Sequence, residues 1–196
     1  MKEGKIIQFP RRRMESGEAE EIPLDEIFVL DGEITLKKVA DMEACFEEMA
    51  SEGQKTLTVE IMSRGGDVDA VRLALSTFDR LKAQHGVTIR TLAKNHVYSA
   101  GFDIAVLGDE RLAYPDTVYY FHDTQLETKG NLAEVREDVK DAVLSQRAIE
   151  KRIARRSGLP LWELRACKNK YLTEHQAMER NFNDGVMIFE RQYGGR

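Results

Sequence analysis

Cysteine is scarce in this chain: Cys45 and Cys167 are the only two in 196 residues. They stand far apart and in no Cys-x-x-Cys or Cys/His spacing, which argues against a disulfide framework, a redox pair or a zinc site and leaves two free thiols. None of the four histidines forms a His-x-x-x-His pair, so neither a metal nor any other cofactor is expected. Long apolar runs are missing as well. No stretch approaches the roughly 18 residues of a membrane span, and the start, MKEGKIIQFPRRR, has no signal-peptide apolar region, so the expected location is cytoplasmic. Positive charge is not in excess either: 29 Lys and Arg face 34 Asp and Glu, for a net charge of −5. Without a basic stripe interleaved with aromatics, nucleic acid is not an expected partner.

What is present suits one soluble α/β domain, with 42% hydrophobic and 32% charged residues and a length that buries a sizeable core. Residues 1–26 are rich in Lys, Arg and Glu around the apolar island Ile6-Ile7-Gln8-Phe9-Pro10. Such a segment is expected to be mobile, or to order only against a partner. The single domain is expected over 27–196. Ile27 to Leu30, Leu57 to Met62 and Val87 to Ala93 read as buried strands, and Gly185 to Ile188 as a closing one. Between them, Thr35 to Met49 and Val68 to Gln84 repeat apolar residues at helical spacing, the second ending at Gly86. Arg111 to Tyr114 and Val118 to Phe121 are brief strands about Pro115-Asp116. Asn131 and Glu134 open the longest helix with capping-box spacing, and its expected apolar stripe is Leu132, Val135, Val139, Ala142, Ile149 and Ile153. Thr173 and Gln176 form a second capping box. This alternation predicts a mostly parallel sheet with right-handed crossovers.

Three short motifs carry chemistry. Ser63-Arg64-Gly65-Gly66 follows a strand directly, and paired glycines let backbone N–H groups approach a ligand closely. Tyr98-Ser99-Ala100-Gly101 places a serine at the mouth of a helix, and His122 ends a strand 23 residues later. Taken alone, each has an ordinary structural meaning: a turn, a helix cap, a packed histidine. Together they are the parts of a hydrolase. A serine hydroxyl needs a base to remove its proton, and the oxyanion formed on attack needs backbone donors.

In this order the motifs resemble the proteolytic subunit of Clp proteases, the ClpP-like serine peptidases. In that family a strand ends in Ser-Pro-Gly-Gly, and a helix and a strand lead to Ala-Ser-Met-Gly. A Pro-Asn turn, a strand ending in His-Gln, a long helix and a Phe-Met-Ser-x-x-Glu-Ala segment follow. The resemblance spans roughly residues 27–188. It implies a ClpP/crotonase-like α/β fold of repeated β-β-α units, with a mostly parallel sheet and the long helix protruding as a handle. It also implies that Ser99 is the nucleophile, His122 the base, and the N–H groups of Gly66 and Ala100 the oxyanion hole. Gly65 and the segment Thr124, Gln125, Leu126 are implied to bind substrate, a peptide or unfolded protein, as an added strand. The implied assembly is a homo-oligomeric ring, or two stacked rings, with an AAA+ ATPase as a further partner.

The chain departs from the family at several points, among them a slightly longer segment between Gly66 and Ser99. The residue matching the triad aspartate is Asn169, which can orient an imidazole but carries no charge. Arg64 replaces a proline, Asp103 stands where the family is apolar, and residues 1–26 match poorly. Asn169 favours a second reading, a weak or inactive ring subunit. A third reading, a crotonase-like acyl-CoA enzyme, would use the glycine turn and Asp103 but leave Ser99 and His122 without a task.

Overall fold

The structure is a computed structural model and describes residues 5–7 and 27–188. Eight strands form one sheet: β1 (Lys5–Ile7), β2 (Ile27–Ile34), β3 (Thr56–Gly66), β4 (Thr88–Tyr98), β5 (Glu110–Ala113), β6 (Val118–Tyr120), β7 (Tyr171–Thr173) and β8 (Gly185–Ile188). The helices are α1 (Leu36–Ser51), α2 (Val68–His85), α3 (Ala100–Ala105), α4 (Leu132–Ser157), α5 (Leu161–Ala166) and α6 (Glu174–Glu179). The main sheet order is β1-β8-β5-β4-β3-β2, with β6 paired to β4 and β7 paired to β6. All pairs are parallel except β1 with β8 and β6 with β7. The mostly parallel α/β architecture is therefore as expected. Within the charged first segment, β1 is held by β8 through pairs from Lys5↔Ile188 to Ile7↔Val186; the remainder of residues 1–26 lies outside the described residues.

Alternation of strand and crossover helix follows from where the apolar residues fall. Val71, Leu75, Phe78 and Leu81 recur at helical spacing on α2 and are all buried, each removing about 1.5–3 kcal/mol of apolar surface cost. They join Val39, Met42 and Phe46 of α1 and the buried residues of β3 and β4 in one core. Thr35 caps α1 by accepting from the Lys38 N–H, and Asp67 caps α2 by accepting from the Asp69 N–H.

Two expectations are corrected by burial and register. Of the stripe expected along α4, only Ile149 and Ile153 are buried; Leu132 and Val139 are 66% and 45% exposed, and Val135 and Ala142 are half-buried. The first buried position on α4 is Ser145, so among the described residues the preceding turns stand partly clear of the body of the domain, with Leu132 and Val139 exposed. β3 and β4 also run several residues beyond Met62 and Ala93. The polar run Lys94-Asn95-His96 resembles a loop in sequence, but its strand is paired by β6 through His96↔Val118 to Tyr98↔Tyr120.

This second correction positions the site. β4 is flanked by β5 along Arg90 to Ala93 and by β6 along His96 to Tyr98. Its carboxyl end and that of β3 therefore finish side by side, with Ser63 paired to Val97. Loops at the carboxyl ends of parallel strands are where open α/β sheets bind ligands. Among the described residues no helix is long and apolar enough to cross a membrane.

Candidate active site

Ser99 occupies the residue before α3 but does not behave as a cap. Its backbone sits at φ 50° and ψ −122°, and its side chain makes no capping hydrogen bond. A non-glycine residue at positive φ stores strain of about 1–3 kcal/mol. The turn is held there by the Ser99 N–H donating to Tyr120 O at 2.9 Å and by the Asp103 N–H donating to Ser99 O at 3.0 Å. A sharp strand-to-helix turn of this kind lifts a hydroxyl out of the sheet.

The glycine turn lies against it. A Cβ on Gly65 would come within 2.8 Å of Ser99 Cβ and 3.3 Å of its Oγ, so only glycine brings the β3 turn this close to the hydroxyl. Gly66 has φ 157°, and a Cβ there would fall 2.1 Å from Ile34 O. Ala100 is the first residue of α3 and has no hydrogen-bond acceptor for its N–H among the described residues, as the opening turn of a helix allows. Gly65 and Gly66 line an open cleft of about 420 Å³ with Gly32, Glu33, Arg64 and His96. Arg64 thus adds a positive charge at the cleft. Burial, and then that charge, lowers the pKa of His96 below the ordinary histidine value.

His122 follows β6 and is half-buried. Its Nδ1 lies 2.6 Å from the Asp123 carbonyl oxygen. No hydrogen bond joins His122 to Ser99 or to Asn169 among the described residues. Asn169 lies near but turns elsewhere: its N–H donates to Phe121 O at 2.9 Å, and its Oδ1 accepts from Tyr120 OH at 3.3 Å. Asn169 is itself left-handed, with φ 59°. Thr124, Gln125 and Leu126 continue from His122 without regular structure. Thr124 N–H donates to Gln146 Oε1 at 2.8 Å, and Leu126 is 43% exposed.

The face of β6 that carries these residues is aromatic. Tyr120 stacks on Tyr171 at 4.6 Å, and Tyr98 meets the two edge-on at 5.8 and 5.7 Å. Such pairs contribute about 0.5–1.5 kcal/mol each beyond area burial and fasten β6 and β7 to the end of β4.

Behind the asparagine lies a charge cluster that the sequence did not reveal. A polar hollow of about 410 Å³ is lined by Asp123, Gln146, Glu150, Arg165, Lys168 and Asn169, among others. Lys168 bridges Asp123 and Glu150, and Glu150 also accepts from Arg165 at 2.9 Å and from Gln146 at 3.0 Å. Burial alone would raise the Glu150 carboxyl, but Lys168, Gln146 and Arg165 together hold it below its usual range. Hydrogen bonds from Lys168 and then Gln146 lower Asp123. Asp103 has no such help. It is partly buried on α3, its carboxyl accepts no hydrogen bond among the described residues, and it is pushed up to about 7 by burial and then by Glu150, against the smaller opposing pull of Lys168. One signal was available: Gln146 and Glu150 stand four apart on α4 and so share a face. Nothing local announces that Lys168 meets Asp123 across 45 residues.

Both cysteines are free thiols, Cys167 buried and Cys45 half-buried. No curated protein matches the chain. A sequence profile of the family described as Clp protease matches residues 21–189, nearly the whole of the domain whose sheet, long helix and serine turn are described above. The chain belongs to the Clp protease family, a family of peptidases.

Proposed function

We propose that this protein is a serine endopeptidase of the Clp proteolytic-subunit type, with Ser99 as nucleophile and His122 as general base. Ser99 Oγ attacks the scissile carbonyl carbon while His122 takes the hydroxyl proton. The oxyanion is held by the N–H groups of Gly66 and Ala100. Collapse breaks the C–N bond, His122 returns the proton to the leaving amine, and a water molecule then hydrolyses the acyl-serine by the same steps. Gly65 and Thr124 to Leu126 bind the peptide as an added strand, which favours backbone over side-chain recognition. Asn169 lies beside this pair as an uncharged group. In the cell the chain assembles into a homo-oligomeric ring, or two stacked rings, and an AAA+ ATPase delivers unfolded substrate in the cytoplasm.

The observation that carries this reading is the uncommitted serine: Ser99 is strained at φ 50°, makes no cap, and lies against Gly65. A structural serine before a helix would be expected to spend its hydroxyl on the cap. A fluorophosphonate probe tests the reading. Stoichiometric modification that disappears in Ser99→Ala and falls steeply in His122→Ala is expected. Absence of labelling at high reagent in the assembled protein would replace the peptidase with the inactive ring subunit that Asn169 favours.

A further inference from the structure

We propose that the main-chain carbonyl of Asp123 fixes the His122 ring in the place a triad carboxylate would take, and that Lys168 is the positioning residue that keeps it there. This rests on the reading of Ser99 and His122 as the catalytic pair.

A carbonyl oxygen can only accept a hydrogen bond. Its contact with His122 Nδ1 at 2.6 Å therefore requires the hydrogen on Nδ1 and leaves the lone pair of the neutral ring on Nε2. This is the tautomer a base for serine needs. In water an imidazole side chain prefers the other tautomer, so the carbonyl selects against the intrinsic preference. Asn169 does not hold the ring: among the described residues no hydrogen bond joins them, and its carbonyl accepts from Tyr120 OH instead.

Asp123 lies in a stretch without regular structure, so something must hold its carbonyl. Its carboxylate accepts from Gln146 Nε2 at 2.6 Å and from Lys168 Nζ, and the next N–H, that of Thr124, donates to Gln146 Oε1 at 2.8 Å. Lys168 is anchored in turn on Glu150. The Lys168 side chain is 10% exposed and that of Glu150 is 5% exposed. Burying such a pair costs desolvation, and its net gain in stability is small or negative. Here its outer end grips the residue beside His122. The buried charges exchange stability for the placement of one carbonyl.

Full-length protein labelled with 15N in histidine tests this, with His122 assigned by comparison with His122→Gln. In the wild-type protein the neutral His122 ring is expected to carry its hydrogen on Nδ1. Lys168→Met should move it to Nε2 and lower kcat about tenfold or more with KM unchanged, whereas Lys168→Arg should keep both the tautomer and most of the rate. If Lys168→Met alone does not fold, Lys168→Met with Glu150→Gln removes the buried pair as a unit and should show the same tautomer change. A wild-type ring protonated on Nε2, or an Nδ1 tautomer that survives loss of Lys168, would overturn the proposal. The tautomer is read without turnover. A Lys168-dependent ring in a protein that resists fluorophosphonate would therefore uphold this inference while the peptidase reading fell.

Discussion

Asp103 is the residue whose chemistry is least at ease with its surroundings. Its carboxyl is pushed up to about 7, against an unfolded value of about 3.9. Between these values the folded chain holds a proton that the unfolded chain has lost, so Asp103 makes stability fall as pH rises from about 4 to 7. Asp123 and Glu150 lie below their usual range and act in the opposite sense at lower pH: their contribution is complete above their unfolded values and is lost as pH falls through the folded ones. Because Asp103 keeps some accessible surface, the full cost of charging it is not realised. Asp103→Asn should therefore stabilise the protein more at pH 8 than at pH 5, by about 1–2 kcal/mol in denaturant titrations. Equal gains at both pH values would show that the carboxyl titrates normally.

At the scale of elements, the capping box on α4 allows a sharp experiment. Asn131 accepts from the N–H groups of Ala133 and Glu134, and Glu134 accepts from the Asn131 N–H. Asn131→Ala should weaken the start of α4 by about 1 kcal/mol. Since the turns before Ser145 are not packed into the body, amide exchange should quicken over residues 132–144 while global unfolding stays nearly unchanged. Both capping boxes, the α2 stop at Gly86 and the helical periods of α1 and α2 were legible in sequence because they are set by neighbours within a few positions. The true ends of β3 and β4, the existence of β7 and the fate of the α4 stripe were not. Each depends on what lies distant in the chain or beyond it: Tyr98 meets Tyr120, Tyr171 pairs with Tyr120, and the apolar start of α4 is only partly covered among the described residues. The same division holds at the site. Ser99, His122 and the glycine pair were visible as motifs, whereas Lys168 reaches Asp123 only because the chain after α5 returns beside β6.

For the whole molecule, the uncovered apolar positions on α4 are the feature an isolated domain would not tolerate well. Leu132, Val139 and Val143 lie within one helical stripe and are 66%, 45% and 41% exposed. In the two stacked rings proposed above, contact between the long helices would cover them. Val139→Asp should then divide the assembly, seen as a halved mass in sedimentation velocity, with the monomer fold intact by circular dichroism. An unchanged mass would place the contact elsewhere. The serine turn is organised quite differently. The Ser99 N–H is bonded to the carbonyl of Tyr120, and His122 comes two residues after that carbonyl. One peptide hydrogen bond and two residues of chain thus connect candidate nucleophile to candidate base. Their spacing is metred by this short covalent-and-bonded loop and not by the breadth of the sheet. Fraying at the far edge, at β1 or at the tip of α4, would leave that spacing untouched, while a single slip of β6 along β4 would change it at once.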